Sequence, residues 1–172
     1  MPGREPHFCP YCGKSLGKKT VGDRLRPACS ECQYVHFSNP IPGVALIIEH
    51  EGKVVLIRRG SRVHTGRWAF PSGYIEADET AEEAARREAL EETGVQVELL
   101  NLFGVYSFPE GPPVSGIVIF YRARVASGQL RAGDDANEIR LFAPHKIPRL
   151  GFRTHREAAA HWVGRISPDS AR

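Results

Sequence analysis

Two sets of side chains in this 172-residue chain have the type and spacing to hold metal ions. The first is Glu88, Glu91 and Glu92, at i, i+3 and i+4, a spacing that puts three carboxylates on one face of a helix. Like charges on one patch repel, so a helix gains nothing from this arrangement by itself. A divalent cation resolves the conflict, and hard oxygen donors select Mg2+ or Mn2+. Arg87 lies four residues after Glu83 and four before Glu91, where it can brace a carboxylate. The second set is Cys9-Pro-Tyr-Cys12 and Cys29-Ser-Glu-Cys32, two C-x2-C knuckles sixteen residues apart. Each offers two thiolates from one tight turn, and two knuckles close a tetrahedron around Zn2+. Disulfides and a redox C-x-x-C are the competing chemistries. The first needs an oxidising compartment, and the second would not come doubled in a short, helix-poor segment.

The elements that must position these residues are legible from local pattern. Residues 1–38 are expected to form a zinc ribbon, whose small core needs metal binding for its folding energy. Ser38-Asn39-Pro40-Ile41-Pro42-Gly43 cannot continue a helix and marks the boundary to a second domain over 39–172. There, 44–49 and 53–59 read as strands around Glu51-Gly52, and 66–70 as a short third strand stopped by Pro71. Residues 80–93 read as a helix, with Thr80 and Glu83 as a capping box and Gly94 at C′. Its small Ala81, Ala84, Ala85 and Ala89 allow close packing on a sheet. Further strands are expected at 95–99, 102–108, 116–125 and 138–142, and a last helix at 154–165. Strands mixed with two helices give the α+β class.

Charge is uneven. Residues 1–40 carry six bases against three acids and 143–172 six against two, whereas 41–142 hold fifteen acids against eleven bases. Eight of those acids fall between Glu76 and Glu92, which suggests a cation site serving an anionic ligand. A solvated helix face is the alternative that charge alone leaves open. The hydrophobic fraction of 41% excludes a mostly disordered chain. No run approaches the ~18 apolar residues of a membrane span, and no apolar stretch of a secretory signal precedes Cys9. A soluble, cytoplasmic protein is expected.

Written out, the acidic segment is Gly73-x5-Glu79-x7-Arg87-Glu88-Ala89-Leu90-Glu91-Glu92-Thr93-Gly94-Val95. It resembles the 23-residue signature of the Nudix hydrolases at every fixed position, Ala89 being smaller than the residue common there. The resemblance implies an α/β/α sandwich with a mixed sheet. It implies Mg2+ (or Mn2+) held by Glu88, Glu91 and Glu92 with the Ser72 carbonyl, and Glu79 and Arg87 bracing the loop and helix by an ion pair. A glutamate beyond the signature completes such a site or serves as base. Glu138 is the candidate, a surface acid opening a strand being the alternative. The implied reaction is hydrolysis of the diphosphate linkage of a nucleoside diphosphate derivative, releasing a nucleoside monophosphate. Arg58, Arg59, Arg62 and Arg67 could meet phosphates by forked hydrogen bonds or be plain surface arginines. Trp68, Phe70, Tyr74 and Phe108 could stack on a base or belong to the core.

A zinc ribbon before such a domain narrows the resemblance to two groups. The NADH pyrophosphatases, which also act on NAD-capped RNA, carry Ser-Gln-Pro-Trp-Pro-Phe-Pro after the signature, and this chain has Tyr106-Ser-Phe-Pro-Glu-Gly-Pro-Pro-Val-Ser115 instead. The shorter ribbon-bearing proteins related to FAD and ADP-ribose pyrophosphatases are closer in Phe8–Gly13, Asn39-Pro40, Trp68–Tyr74 and Glu138–Phe142. The expected substrate is therefore of the FAD or ADP-ribose type. The proline-rich segment Phe108–Val114 is placed to wall off one side of it, and relatives imply a homodimer. The rival class is a zinc-ribbon nucleic-acid-binding or regulatory module, with Lys14, Lys18, Lys19, Arg24 and Arg26 on phosphates. A complete carboxylate set argues against it, because binding alone does not need one.

Overall fold

The structure is a computed structural model in which residues 5–60, 63–109, 115–133 and 135–166 are described. Arg62, the segment 110–114 and the residues after 166, Arg172 among them, lie outside them. The chain forms two compact units, one of residues 1–41 with 109–116 and the other of 42–108 with 117–172.

In the first unit, β1 (Gly17–Val21) and β2 (Arg24–Ala28) pair antiparallel, with Lys19 opposite Arg26. Gly22, at φ +65°, turns the hairpin in the left-handed region that suits glycine. This hairpin was not legible in the sequence, because β1 is lysine-rich and β2 carries Pro27 within it, which argues against a strand. Phe8, Tyr11, Leu25 and Phe37 stand exposed, and buried apolar side chains are few beyond Cys9, Ala28 and Cys29. Burial alone gives such a unit little stability.

The other elements are β3 (Ile41–His50), β4 (Lys53–Arg59), β5 (Trp68–Ala69), β6 (Ser72–Tyr74), α1 (Ala81–Thr93), β7 (Val95–Pro109), β8 (Ser115–Gly128), β9 (Ala136–Phe142) and α2 (Arg153–Ile166). They build a mixed sheet ordered β5-β4-β3-β8-β7, with β6 added on β3 and β9 on β4. Glu51 and Gly52, both at positive φ, close the β3–β4 hairpin in the two-residue form that matches strand twist.

Strand alternation then sorts the core into two layers. Val44, Leu46 and Ile48 of β3 face Ala84, Ala85 and Ala89 of α1. Ala45 and Ile47 face Ala158, Ala159 and Trp162 of α2. A strand covered on both faces must be apolar throughout, which is why 44–48 reads as an unbroken hydrophobic run. The result is the α/β/α sandwich. Three details differ from the sequence reading. The expected strands 95–99 and 102–108 are one continuous β7, because Leu100 and Asn101 stay in the extended ladder. The third strand shrinks to β5. The segment after Pro71, where no strand is expected, forms β6, with Gly73 opposite Val44.

Candidate active site and thiol cluster

Helix α1 begins where local chemistry dictates. The Thr80 side chain accepts from the Glu83 N–H at 3.2 Å, and Glu83 accepts the Thr80 N–H at 2.8 Å. Gly94, at φ +71°, ends it by donating to the Leu90 carbonyl. With register set at both ends and three alanines against the sheet, residues 88, 91 and 92 take defined directions.

Glu92 turns inward and is only 4% exposed. Its Oε2 accepts the Ser72 N–H at 2.8 Å, so β6 meets the helix through a backbone amide. Burial pushes the Glu92 carboxyl up to about 8, and the charges of Glu88 and Asp135 act the same way. The Ser72 N–H and Arg59 oppose them. Glu88 is also pushed up, by burial first, with Arg87 opposing. Gly73 serves here by leaving space rather than by dihedral freedom, since a Cβ would overlap the Glu88 carboxylate and push it from its place beside Arg87.

Arg87 spends all five of its N–H groups. Nε and Nη2 fork onto Glu79 at 3.0 and 2.6 Å, and Nη2 also reaches the Tyr74 carbonyl at 3.0 Å. Nη1 donates to Glu88 at 2.7 Å and to Glu91 at 3.1 Å. The hydrogen bonds from Arg87 hold the Glu79 carboxyl down to about 2. The pairing of Arg87 with Glu83 that the four-residue spacing allowed does not occur, because Glu83 is committed to the cap. Nor do the three carboxylates form the tight cluster that their spacing suggests: Arg87 draws Glu88 and Glu91 outward while Ser72 holds Glu92 inward. They remain on one helix face, Glu92 buried, Glu88 half-buried and Glu91 exposed, which is a donor set that a hard divalent cation fits.

Elsewhere the sequence candidates fall into separate groups. Glu138 pairs with Arg140 and, at 3.4 Å, with Arg58, its cross-strand neighbour between β4 and β9. Arg59 donates to the Val63 carbonyl and lies over the Phe152 ring, and its charge favours ionised Glu92. The Arg67 side chain is exposed. Trp68 packs edge-on against Phe142 at 4.9 Å, with the Arg140 guanidinium 5.7 Å from its ring centre. Phe70 is wholly buried in the α2 layer and is a core residue, not a stacking surface. Tyr74 is exposed, and Phe108 is half-buried near the end of β7.

Sequence reasoning missed Arg131, Gly133 and Asp135. Arg131 and Gly133 donate to the Thr93 and Glu92 carbonyls at the C-terminal end of α1, and a Cβ at Gly133 would strike the Glu91 carbonyl. The Asp135 carbonyl receives the Gly60 N–H at 2.6 Å, while its side-chain charge acts on Glu92. No periodic pattern announces these contacts, which are made about 40 residues beyond the helix.

In the first unit the four thiols gather with every pair of sulfurs within 4.8 Å. Cys9–Cys32, Cys12–Cys29 and Cys12–Cys32 stand at 3.4, 3.5 and 3.6 Å, and all four cysteines are free. Sulfurs of a tetrahedral Zn site lie about 3.8 Å apart by simple geometry. The knuckles are built alike: Cys9 and Cys29 N–H groups bond the Lys14 and Tyr34 carbonyls, and Gly13 and Gln33, each just after a second cysteine, adopt positive φ. Burial raises the Cys9 thiol, yet backbone N–H groups of Cys12 and Tyr11 outweigh it and bring it down to about 7. Cys32 receives a lowering bond from the Tyr34 N–H, but its sulfur neighbours, Cys9 foremost, push it up to about 12. Ionised together, four thiols this close would need a cation to offset their charge, so the cluster is compatible with Zn2+. Among the described residues this is the one group of three or more such side chains gathered so tightly.

Comparison with known proteins places the chain. The NUDIX domain family matches residues 39–163. An ADP-ribose pyrophosphatase from Methanocaldococcus jannaschii is 37% identical over 141 residues, covering 81% of this chain and 80% of that protein. The NAD-capped RNA hydrolase NudC of Vibrio atlanticus is 28% identical over 127 residues, and the match spans only 44% of its length. A crystal structure of a NUDIX hydrolase from Nitrosomonas europaea superposes with a TM-score of 0.86 at 32% identity, over 94% of this chain and 92% of that one.

Proposed function

The chain belongs to the Nudix hydrolase family, and from that premise we propose that it cleaves the diphosphate linkage of ADP-ribose or a closely similar nucleoside diphosphate derivative in a Mg2+-dependent reaction. The observation that carries this reading is the buried, amide-anchored Glu92 beside Glu88 and Glu91, with Arg87 binding that face to Glu79. Substrate class rests on the similarity to the M. jannaschii enzyme, which extends over most of both chains. Water adds its oxygen to one phosphorus, the bridging bond breaks, and two monophosphates leave.

Glu88, Glu91 and Glu92 are the proposed Mg2+ ligands, with the Ser72 carbonyl beside them. Bound Mg2+ would neutralise the diphosphate and acidify a water. Glu91, the most solvent-open of the three, and Glu138 are the candidate proton acceptors. Arg87 and Glu79 hold the loop against the helix. Arg58, Arg59 and Arg67 are the proposed phosphate contacts, and Trp68 and Phe108 the proposed base contacts. Residues 1–38 are the proposed zinc ribbon and 39–172 the catalytic domain. Its four thiols would fill the coordination of Zn2+ and leave no open position for substrate, so the ribbon's role is to fold. Free thiols suit a reducing, cytoplasmic setting. A homodimer belongs to the same proposal, and sedimentation equilibrium tests it.

The deciding experiment compares kcat/KM for ADP-ribose, FAD, NADH, NAD-capped RNA and nucleoside triphosphates with and without Mg2+. Preference for ADP-ribose supports the proposal. Preference for NADH or NAD-capped RNA would favour the activity named for the Vibrio relatives. No Mg2+-dependent turnover of any of them would leave the nucleic-acid-binding class.

A further inference from the structure

The segment Phe70-Pro71-Ser72-Gly73, which leads into β6, delivers the backbone to Glu92 and Glu88 and has its own anchorage. β5 ends at Ala69, and Pro71 has no N–H, so between β5 and Ser72 the only backbone donor is Phe70. Phe70 is wholly buried, and its N–H would cost free energy if left unpaired. The group that accepts it comes from the layer that lies across the sheet from α1: Nδ1 of His155, on α2, at 3.2 Å. Pro71 is fixed through its carbonyl by the Leu46 N–H at 2.9 Å, and Ser72 donates to Glu92.

His155 is 2% exposed and is enclosed by aromatic rings. Its imidazole lies 5.8 Å from Phe70, 5.3 Å from Phe120 and 4.9 Å from Phe152. The rings leave it little freedom to turn. A nitrogen that accepts from an amide carries no proton, so the ring is neutral and protonated on Nε2.

We infer that His155 is a positioning residue for the carboxylate site: by accepting the Phe70 N–H it sets the loop from which the Ser72 amide holds Glu92, coupling α2 to α1 through the sheet. The inference rests on the reading of Glu92 as a Mg2+ ligand. Burial, with the charges of Arg59 and His64 nearby, holds His155 down to about 3, so the Nδ1 lone pair stays free at every pH at which the protein would work.

The test uses the full zinc-loaded chain and ADP-ribose hydrolysis. His155→Phe keeps an aromatic ring and deletes the acceptor, whereas the Oδ1 of His155→Asn restores an acceptor near the place of Nδ1. In His155→Phe the Mg2+ concentration for half-maximal turnover should rise roughly tenfold or more, as for other groups that orient metal ligands. In His155→Asn it should return to within about twofold of wild type, even if both variants melt earlier. Wild-type Mg2+ dependence in His155→Phe, beside an impaired Glu92→Gln, overturns the inference alone. Full activity in Glu92→Gln overturns the reading of the carboxylate site and this inference with it. Should His155→Phe not fold, the wild-type imidazole decides by 15N NMR. A neutral ring protonated on Nε2, with Nδ1 shifting at the Mg2+ midpoint of turnover, supports the coupling, and an unmoved Nδ1 overturns it.

Discussion

The two candidate metal sites are built on opposite plans. In the thiol cluster each ligand pair comes from one tight turn, and the backbone donors that brace it lie within five or six residues. In the carboxylate site the three carboxylates share one helix, but what holds them comes from elsewhere: an amide from β6, the Tyr74 carbonyl, and the Arg131 and Gly133 amides at the helix end. A local device can be complete in a unit of about 40 residues that buries almost nothing. The carboxylate device needs the sandwich, because only a packed sheet can bury Glu92 and bring an amide to it. Loss of the first should therefore unfold a module, and loss of the second should stop chemistry while the fold stands.

Glu92→Gln gives the sharpest test of that contrast. Turnover should fall by about two to four orders of magnitude, a loss of a few kcal/mol in transition-state stabilisation, with zinc content and folded structure retained. Near-normal turnover at saturating Mg2+ would show that the site is elsewhere.

Arg87→Lys should come next. A single ammonium cannot replace a fork that touches Glu79, Glu88, Glu91 and Tyr74 together, so kcat/KM should drop roughly ten- to a hundredfold. Activity within a factor of two would mean that the ion pair is incidental. Gly73→Ala, which drives a methyl at the Glu88 carboxylate, should raise the Mg2+ requirement by about tenfold and leave the ribbon untouched.

For the thiol cluster the expected readout is reversed. The purified chain should hold about one zinc, and Cys29→Ser should abolish it and lower thermal stability or solubility, with ADP-ribose turnover changed only about twofold or less. Zinc measured by atomic absorption at well below one per chain in the wild type would contradict the assignment.

The smallest effect is a pH dependence with a definite sign. Because burial raises Glu92 to about 8 in the folded chain, above the ordinary carboxylate value, its ionisation opposes folding. Without Mg2+, the contribution of this group to stability should be fullest below about pH 4 and be lost progressively up to about pH 8. Melting temperatures followed between pH 5 and 8 should decline less steeply with Mg2+ present, and less steeply in Glu92→Gln. An identical slope in all three would show that Glu92 is not strained.

By itself the sequence determined whatever short-range chemistry determines. The capping box and Gly94 bound α1, the unbroken apolar run 44–48 announced a strand covered on both faces, and the cysteine spacing specified two matched knuckles. The family signature was legible for the same reason, since its residues share one loop and one helix. The tertiary structure decided what depends on distant segments meeting. It joined two expected strands into β7, turned the stretch after Pro71 into β6, and sent Phe70 to the core. It also withdrew Arg87 from Glu83, brought Arg131 and Gly133 to the helix end, and placed His155 against Phe70 in the α2 layer. Hydrogen-bond partners 20 to 85 residues apart leave no periodicity to read, because their pairing is set by the packing of layers and not by the geometry of any one element.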